Sequence, residues 1–201
     1  VKDNSEARQG HRLIRSLVSG APVLDDVFDT RAGLNIVDQE VEAYGGALNV
    51  AIELSDTLTF KSITGYREDK STTPIDFDSL AAVDLDVPAI YNNDQFSQEL
   101  QLLYEGDKLS GVLGFYYLDA NAFTAFDVAL FTTVAGLTAQ TLGDVNTETW
   151  SVFGDFTYDL TDTISVSVGG RYTNDKRTSQ VLRTTFIGGF SNLFGGAGTP
   201  I

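Results

Sequence analysis

The side chains that carry most protein chemistry are scarce here, except the acids. There is one histidine, His11, and no cysteine among the 201 residues. That removes disulfides, thiolate metal sites, cysteine nucleophiles and any two-histidine metal motif. His11 falls in an expected loop with no partner motif such as G-x-S-x-G, so nothing marks it as a general base. Acids are plentiful. Asp25, Asp26 and Asp29 form one group, and Asp76, Asp78, Asp84 and Asp86 another. All-oxygen groups of this kind suit Ca²⁺ or Mg²⁺. Neither has the fixed spacing of an EF-hand, and DFDSLAAVDLD interrupts its acids with apolar residues. Solvated loop charge is therefore the expectation, with no metal, no cofactor and no enzymatic activity. A glycosidase-type carboxylate pair would need a particular separation, which spacing along the chain does not give.

Formal net charge is -15, from 13 Lys and Arg against 28 Asp and Glu. Phosphate recognition relies on clustered basic residues, so nucleic acid is not an expected partner. The 42% hydrophobic content rules out a wholly disordered chain. The first residue is Val1 and there is no methionine, so a mature chain or an internal fragment is expected. No run approaches the ~18 apolar residues of a membrane helix. A membrane barrel is untouched by that, because its strands need only about 9–11 alternating residues.

Alternation is what the sequence does carry. In TISVSVGGRYTNDKR (163–177), Ile164, Val166, Val168 and Tyr172 are apolar or aromatic, while Thr163, Ser165, Ser167 and Arg171 are polar. ETWSVFGDFTY (148–158) sets Trp150, Val152, Phe156 and Tyr158 against Thr149, Ser151, Asp155 and Thr157, with Phe153 the exception. The two stretches form a hairpin about the turn 159–162. FSQELQLLYE and KLSGVLGFYYL form another, with Phe96, Leu100, Leu102, Tyr104, Leu109, Leu113, Phe115 and Tyr117 on the apolar side. AYGGALNVAIEL and TLTFKSITGYR form the third, where Ile63 breaks the pattern and Gly45–Gly46 suggests a bulge.

The fold expected is all-β: an antiparallel up-and-down meander of about six long strands in three hairpins, longer than the ~5–6 residues usual in soluble sheets. The strands fall at about 38–54, 57–69, 94–105, 108–119, 146–160 and 163–177. Inner connections are tight. The outer segments 1–37, 70–93, 120–145 and 178–201 are long and hold all four prolines. Tight turns at one end and long loops at the other are what outer-membrane barrels show. A soluble β-sandwich also alternates, with its apolar face on a core. The aromatics favour lipid: Tyr44, Tyr66, Tyr104, Tyr158 and Tyr172 lie near strand ends on the apolar face, as an interfacial girdle would.

FSQELQLLYEG, LTFKSITGYRED, TETWSVFGDFTYDLTDTISVSVGGRYTNDKR and FYYLDA together resemble the barrel of TonB-dependent receptors of Gram-negative outer membranes. The resemblance spans about residues 38 to 177, and the acidic stretch 25–35 is similar to theirs. It implies part of a larger transmembrane β-barrel of about 22 strands around an N-terminal plug. It also implies active uptake of a scarce nutrient, such as siderophore-bound iron, driven by the TonB energy-coupling complex of the inner membrane. Expected partners are outer-membrane lipid and lipopolysaccharide, the plug, that complex and a small nutrient ligand. The chain lacks a plug, an energy-coupling box and a closing strand with a terminal aromatic. On its own it is not expected to transport. A passive porin-type channel uses the same strand physics and stays open as an alternative, beside the sandwich binding module.

If short turns are periplasmic, both termini lie in extracellular loop segments (1–37 and 178–201) flanking the partial barrel at 38–177. The even residues of 163–172 then face lipid and the odd ones the lumen. By the same parity Glu53, Lys61, Glu99, Gln101, Asp155 and Arg171 point inward, to contact plug or ligand or simply to line a hydrated wall. Aromatics of the long segments (Phe28, Phe77, Tyr91, Phe123, Phe126, Phe131, Phe186, Phe190, Phe194) are candidate ligand contacts at the mouth. VALFTTVAGLTA (128–139) and FIGGFSNLFGGAG (186–198) are too apolar for free coil and are expected to pack on one another or on the plug.

Overall fold

In the computed structural model, residues 38–201 are described, and before them 2–6, 14–16, 20, 22–23, 25–26 and 33–34. His11, Phe28 and Asp29 lie outside the described residues. Alternating side chains make each strand two-faced, and tight turns join neighbours, so the strands pair in chain order. They are β1 (Lys2–Glu6), β2 (Asp38–Ser55), β3 (Leu58–Asp76), β4 (Asp86–Glu105), β5 (Leu109–Ala129), β6 (Thr138–Thr161), β7 (Ile164–Ile187) and β8 (Thr199–Pro200). All form one antiparallel sheet in the order β1 to β8, with no crossover. The sheet is open: β1 and β8 are its edges. One 3₁₀ turn, Asn192–Phe194, precedes β8.

Register is continuous across six strands. Val50 lies opposite Ser62, Ser62 opposite Leu100, Leu100 opposite Phe115, Phe115 opposite Val152 and Val152 opposite Tyr172. A one-residue slip anywhere would exchange the two faces of every strand beyond it. Irregularities occur only beside turns, at Glu53/Ser55 and Asp159/Thr161. The expected bulge at Gly45–Gly46 does not occur, since Gly45 and Gly46 pair in step with Arg67 and Tyr66.

The six long strands have 18 to 24 residues and run further than the alternation indicated. Residues 70–76, 86–93, 120–129, 138–145 and 178–187, read as loop, are strand. Apolar and polar residues fall on both faces there, as in ANAFTAFDVA at 120–129, so the ladder continues with no alternation to announce it. The end-to-end asymmetry persists in smaller form. The tight turns occupy 56–57, 106–108 and 162–163, and the far connections 77–85, 130–137 and 188–198. Pro74 and Pro88 are therefore inside strands and opposite each other. They lie just past Thr72 and Ala89, where pairing with β2 and β5 stops, so neither is required to donate to those strands.

Burial is concentrated at the far end, around Leu34, Leu80, Ala89, Ala125, Ala129 and Phe194. The sandwich reading is overturned here: among the described residues no second layer covers the sheet, and Val168 is 71% exposed. The apolar far-end segments do pack on one another. Gly189 N–H donates to the Gly136 carbonyl at 2.9 Å, and the Phe131 and Phe190 rings are 5.9 Å apart.

Candidate functional site

Two faces with different chemistry result from this register. One carries an apolar band whose height is set by residue count. Leu58 to Tyr66, Phe96 to Tyr104, Leu109 to Tyr117, Trp150 to Tyr158 and Ile164 to Tyr172 each cover nine residues. That is the length with which a tilted strand crosses hydrocarbon, about 9–11 residues. Leu102, Leu113, Phe115, Val152, Phe156 and Val166 lie between and are exposed. Aromatic residues bound the band. Tyr104 and Tyr158 stand near the tight turns, while Tyr66, Phe96, Tyr117, Trp150 and Tyr172 stand on the far side. Tyr66 is opposite Phe96 and Tyr117 opposite Trp150, and the Trp150 and Tyr172 rings are 5.7 Å apart. Tyr44, at 52% exposed, extends the line onto β2. Phe96, Tyr117 and Trp150 were on the apolar face in the sequence reading without being assigned to a girdle. The recurrent nine-residue interval is the signal that identifies them.

Past the far aromatic line the same face turns polar, with Glu68, Lys70, Asp94, Asp119, Glu148 and Lys176. Lys70 Nζ is 2.9 Å from Glu68 Oε1. Charges therefore begin directly past the band on this face.

The opposite face gathers the candidates Glu53, Lys61, Glu99, Gln101, Asp155 and Arg171. Lys61, Gln101, Gly114, Phe153 and Arg171 form one row across β3 to β7. Glu53, Thr59, Leu103, Val112 and Asp155 form the next. Gln101 Nε2 donates to Glu99 Oε1 at 2.5 Å, and Arg171 Nε donates to Thr173 Oγ1 at 3.1 Å. Phe153, the exception to alternation, has its ring over Gly114, where any Cβ would meet it. The guanidinium of Arg171 then lies 5.7 Å from the Phe153 ring centre and 5.8 Å from that of Tyr116. Ile63, the other exception, shares this face opposite Asn49 and Glu99. Further out the face holds a shallow concavity of about 330 Å³, lined by Arg67, Asp69, Asn93, Gln95, Ala122 and Thr147 among others. Asn93 Nδ2 donates to Asp69 Oδ2 there at 2.8 Å. This surface offers hydrogen bonds and charges of both signs, with no nucleophile–base pair among its described residues.

The loop acids do not behave as the sequence reading expected. Asp25 and Asp26 are exposed, but Asp76, Asp78, Asp84 and Asp86 are buried at the β3–β4 connection. Solvated charge is thus corrected to buried acids, because the 77–85 connection closes around Asp78, whose carboxylate accepts from the N–H groups of Leu80, Asp84 and Leu85. Burial, then the neighbouring Asp76 and Asp78 charges, push the Asp86 carboxyl up to about 9. Burial pushes Asp78 up to about 6 against the N–H donors of Leu80 and Leu85. Of the aromatics assigned to long loops, Tyr91, Phe123, Phe126 and Phe186 are in strands, and Phe194, in the 3₁₀ turn of the final connection, is buried.

No curated protein and no solved structure matches the chain. The family described as "TonB dependent receptor-like, beta-barrel" matches residues 6–200. That span takes in all six long strands and both far connections between them, and an open meander with a nine-residue apolar band on one face is the wall such a barrel needs. The chain belongs to the TonB-dependent receptors, bacterial outer-membrane proteins, as part of their β-barrel.

Proposed function

We propose that the chain supplies the wall and extracellular loops of a receptor that actively imports a scarce nutrient, siderophore-bound iron or a similar compound. The observation that carries this is the family match over residues 6–200 on a sheet with one lipid-compatible face. An open sheet cannot stand in a bilayer with unpaired edges, and β1 and β8 cover only 38–42 of β2 and 186–187 of β7, so β2 and β7 pair at band depth with further strands of the same barrel. In this reading the tight turns are periplasmic and the far connections extracellular. Glu53, Lys61, Glu99, Gln101, Asp155 and Arg171 face the lumen and the plug. Tyr44, Tyr66, Tyr104, Tyr158 and Tyr172 sit at the two lipid interfaces. Lipopolysaccharide meets the acidic rim above the band, and the TonB complex acts through the plug. The family is one of receptors and transporters, so catalysis is no part of the reading.

A passive porin-type channel is the competing assignment, and energy dependence separates the two. Cells carrying the full-length receptor are given labelled ferric siderophores under iron limitation, with and without an uncoupler of the inner-membrane proton gradient. Uptake that needs both the receptor and the gradient is expected. Receptor-dependent uptake that persists after uncoupling contradicts active import, and a receptor that leaves all ferric siderophore uptake unchanged contradicts the choice of nutrient.

A further inference from the structure

The β3–β4 connection brings Asp76, Asp78 and Asp86 together with one carboxylate oxygen of each within 4.8 Å of the others. All three are buried, Asp78 and Asp86 completely. Two of them are held by the backbone. Asp76 accepts from Ser79 N–H at 2.6 Å and from Gly33 N–H at 3.0 Å. Asp78 accepts from Leu80 N–H at 2.8 Å and Leu85 N–H at 3.1 Å. Asp86 is different. Neither of its oxygens has a hydrogen-bond partner, although the residue has no solvent exposure. The Ser79 hydroxyl is likewise buried and unpartnered. No basic residue among those described forms an ion pair with any of the three acids.

A buried carboxylate without a donor costs far more than a hydrogen-bonded one, and buried charges in proteins are paired or bind metal. The geometry points to a divalent cation site, of the Ca²⁺ class, formed by Asp76, Asp78 and Asp86 at the extracellular end of β3 and β4. Two oxygens on one Ca²⁺, each at 2.3–2.6 Å, span up to about 5 Å, which accommodates this cluster. Three carboxylates give the ion more charge than it needs, and backbone N–H groups orient two of them as an outer shell would. Mg²⁺ demands tighter octahedral geometry and keeps several waters, so it suits an enclosed carboxylate cluster less well. The alternative way to neutralise the cluster is by bound protons, and the experiment below separates the two.

Occupancy would have a structural consequence. Gly33 N–H reaches Asp76 because Gly33 has no side chain: a Cβ there would fall 2.5 Å from the Ala82 carbonyl oxygen. The ion would therefore tie the chain at 33–34 to the 77–85 connection through one shared carboxylate. This holds whatever the receptor imports.

The test uses the full-length receptor in detergent, stripped with EDTA and passed over chelating resin. Equilibrium binding of ⁴⁵Ca²⁺ is compared for wild type, Asp86→Asn and Asp78→Asn, with the surface variant Asp56→Asn as control. Barrel folding of each is checked by heat-modifiable mobility on gels. The account expects one Ca²⁺ per receptor to be lost, or its affinity to fall roughly tenfold or more, in Asp86→Asn or Asp78→Asn but not in Asp56→Asn. Millimolar Mg²⁺ should compete weakly. If Asp86→Asn does not fold, Asp78→Asn carries the same expectation. Equal Ca²⁺ stoichiometry and affinity in wild type and every folded variant would overturn the site, assigning bound ions to lipopolysaccharide. No Ca²⁺ binding by wild type at millimolar concentration would overturn it in favour of protons.

Discussion

Arg171 and Val168 lie three residues apart on β7 and on opposite faces of the sheet. The first stacks over Tyr116 and Phe153, and the second stands 71% exposed between Val166 and Gly170. Only one of those positions tolerates a charge. Val168→Arg puts a guanidinium at the depth of the apolar band and should cost about 2–4 kcal/mol. Arg171→Met loses a hydrated cation–π contact worth about 0.5–1 kcal/mol. Urea unfolding of the full-length receptor in lipid vesicles measures both. The account fails if Val168→Arg is the milder of the two.

Gly114 exists to admit the Phe153 ring. Gly114→Val should destabilise by about 1–3 kcal/mol through overpacking. Phe153→Ala should remove most of that penalty, leaving a coupling of at least about 1 kcal/mol in a double-mutant cycle. Additive effects would mean the ring does not occupy the space over Gly114.

At the far end, Asp127 latches the final connection. Its Oδ2 accepts from Ser191 N–H at 2.7 Å, and Gln140 Nε2 donates to Ser191 Oγ at 2.6 Å. Asp127→Ala leaves a buried N–H unpaired, at a cost of about 1–3 kcal/mol. The expected outcome is faster hydrogen exchange and proteolysis across 188–198 with transport-grade barrel folding intact. Unchanged exchange there would show that the aromatic contact of Phe131 with Phe190 suffices.

How far the sequence reveals this fold follows from where water and lipid differ. Ile164, Val166, Val168 and Tyr172 alternate with polar residues, as the proposed contact of one side with hydrocarbon requires, so β7 is readable from 163 to 177. Beyond Arg177 both faces meet water, the alternation stops, and the strand runs on unannounced to Ile187. Phe153 breaks the pattern for a reason that lies on the neighbouring strand, at Gly114, which no local window contains. The spacing of the acids at 76–86 points to solvated charge, because spacing says nothing of a connection closing over its own carboxylates. Parity alone brought Glu53, Lys61, Glu99, Gln101, Asp155 and Arg171 to one face. Which of them meets plug or ligand depends on chain lying across the lumen.

The central claim is that lipid, not protein, covers the face of Ile164, Val166, Val168 and Tyr172. Single cysteines placed in turn at 163–172 of the full-length, otherwise cysteine-free receptor, labelled in vesicles, test it most directly. The prediction is a two-residue period, with a bilayer-soluble maleimide taking the even positions and a water-soluble one the odd. Equal labelling of both sets, or the opposite phase, would contradict it.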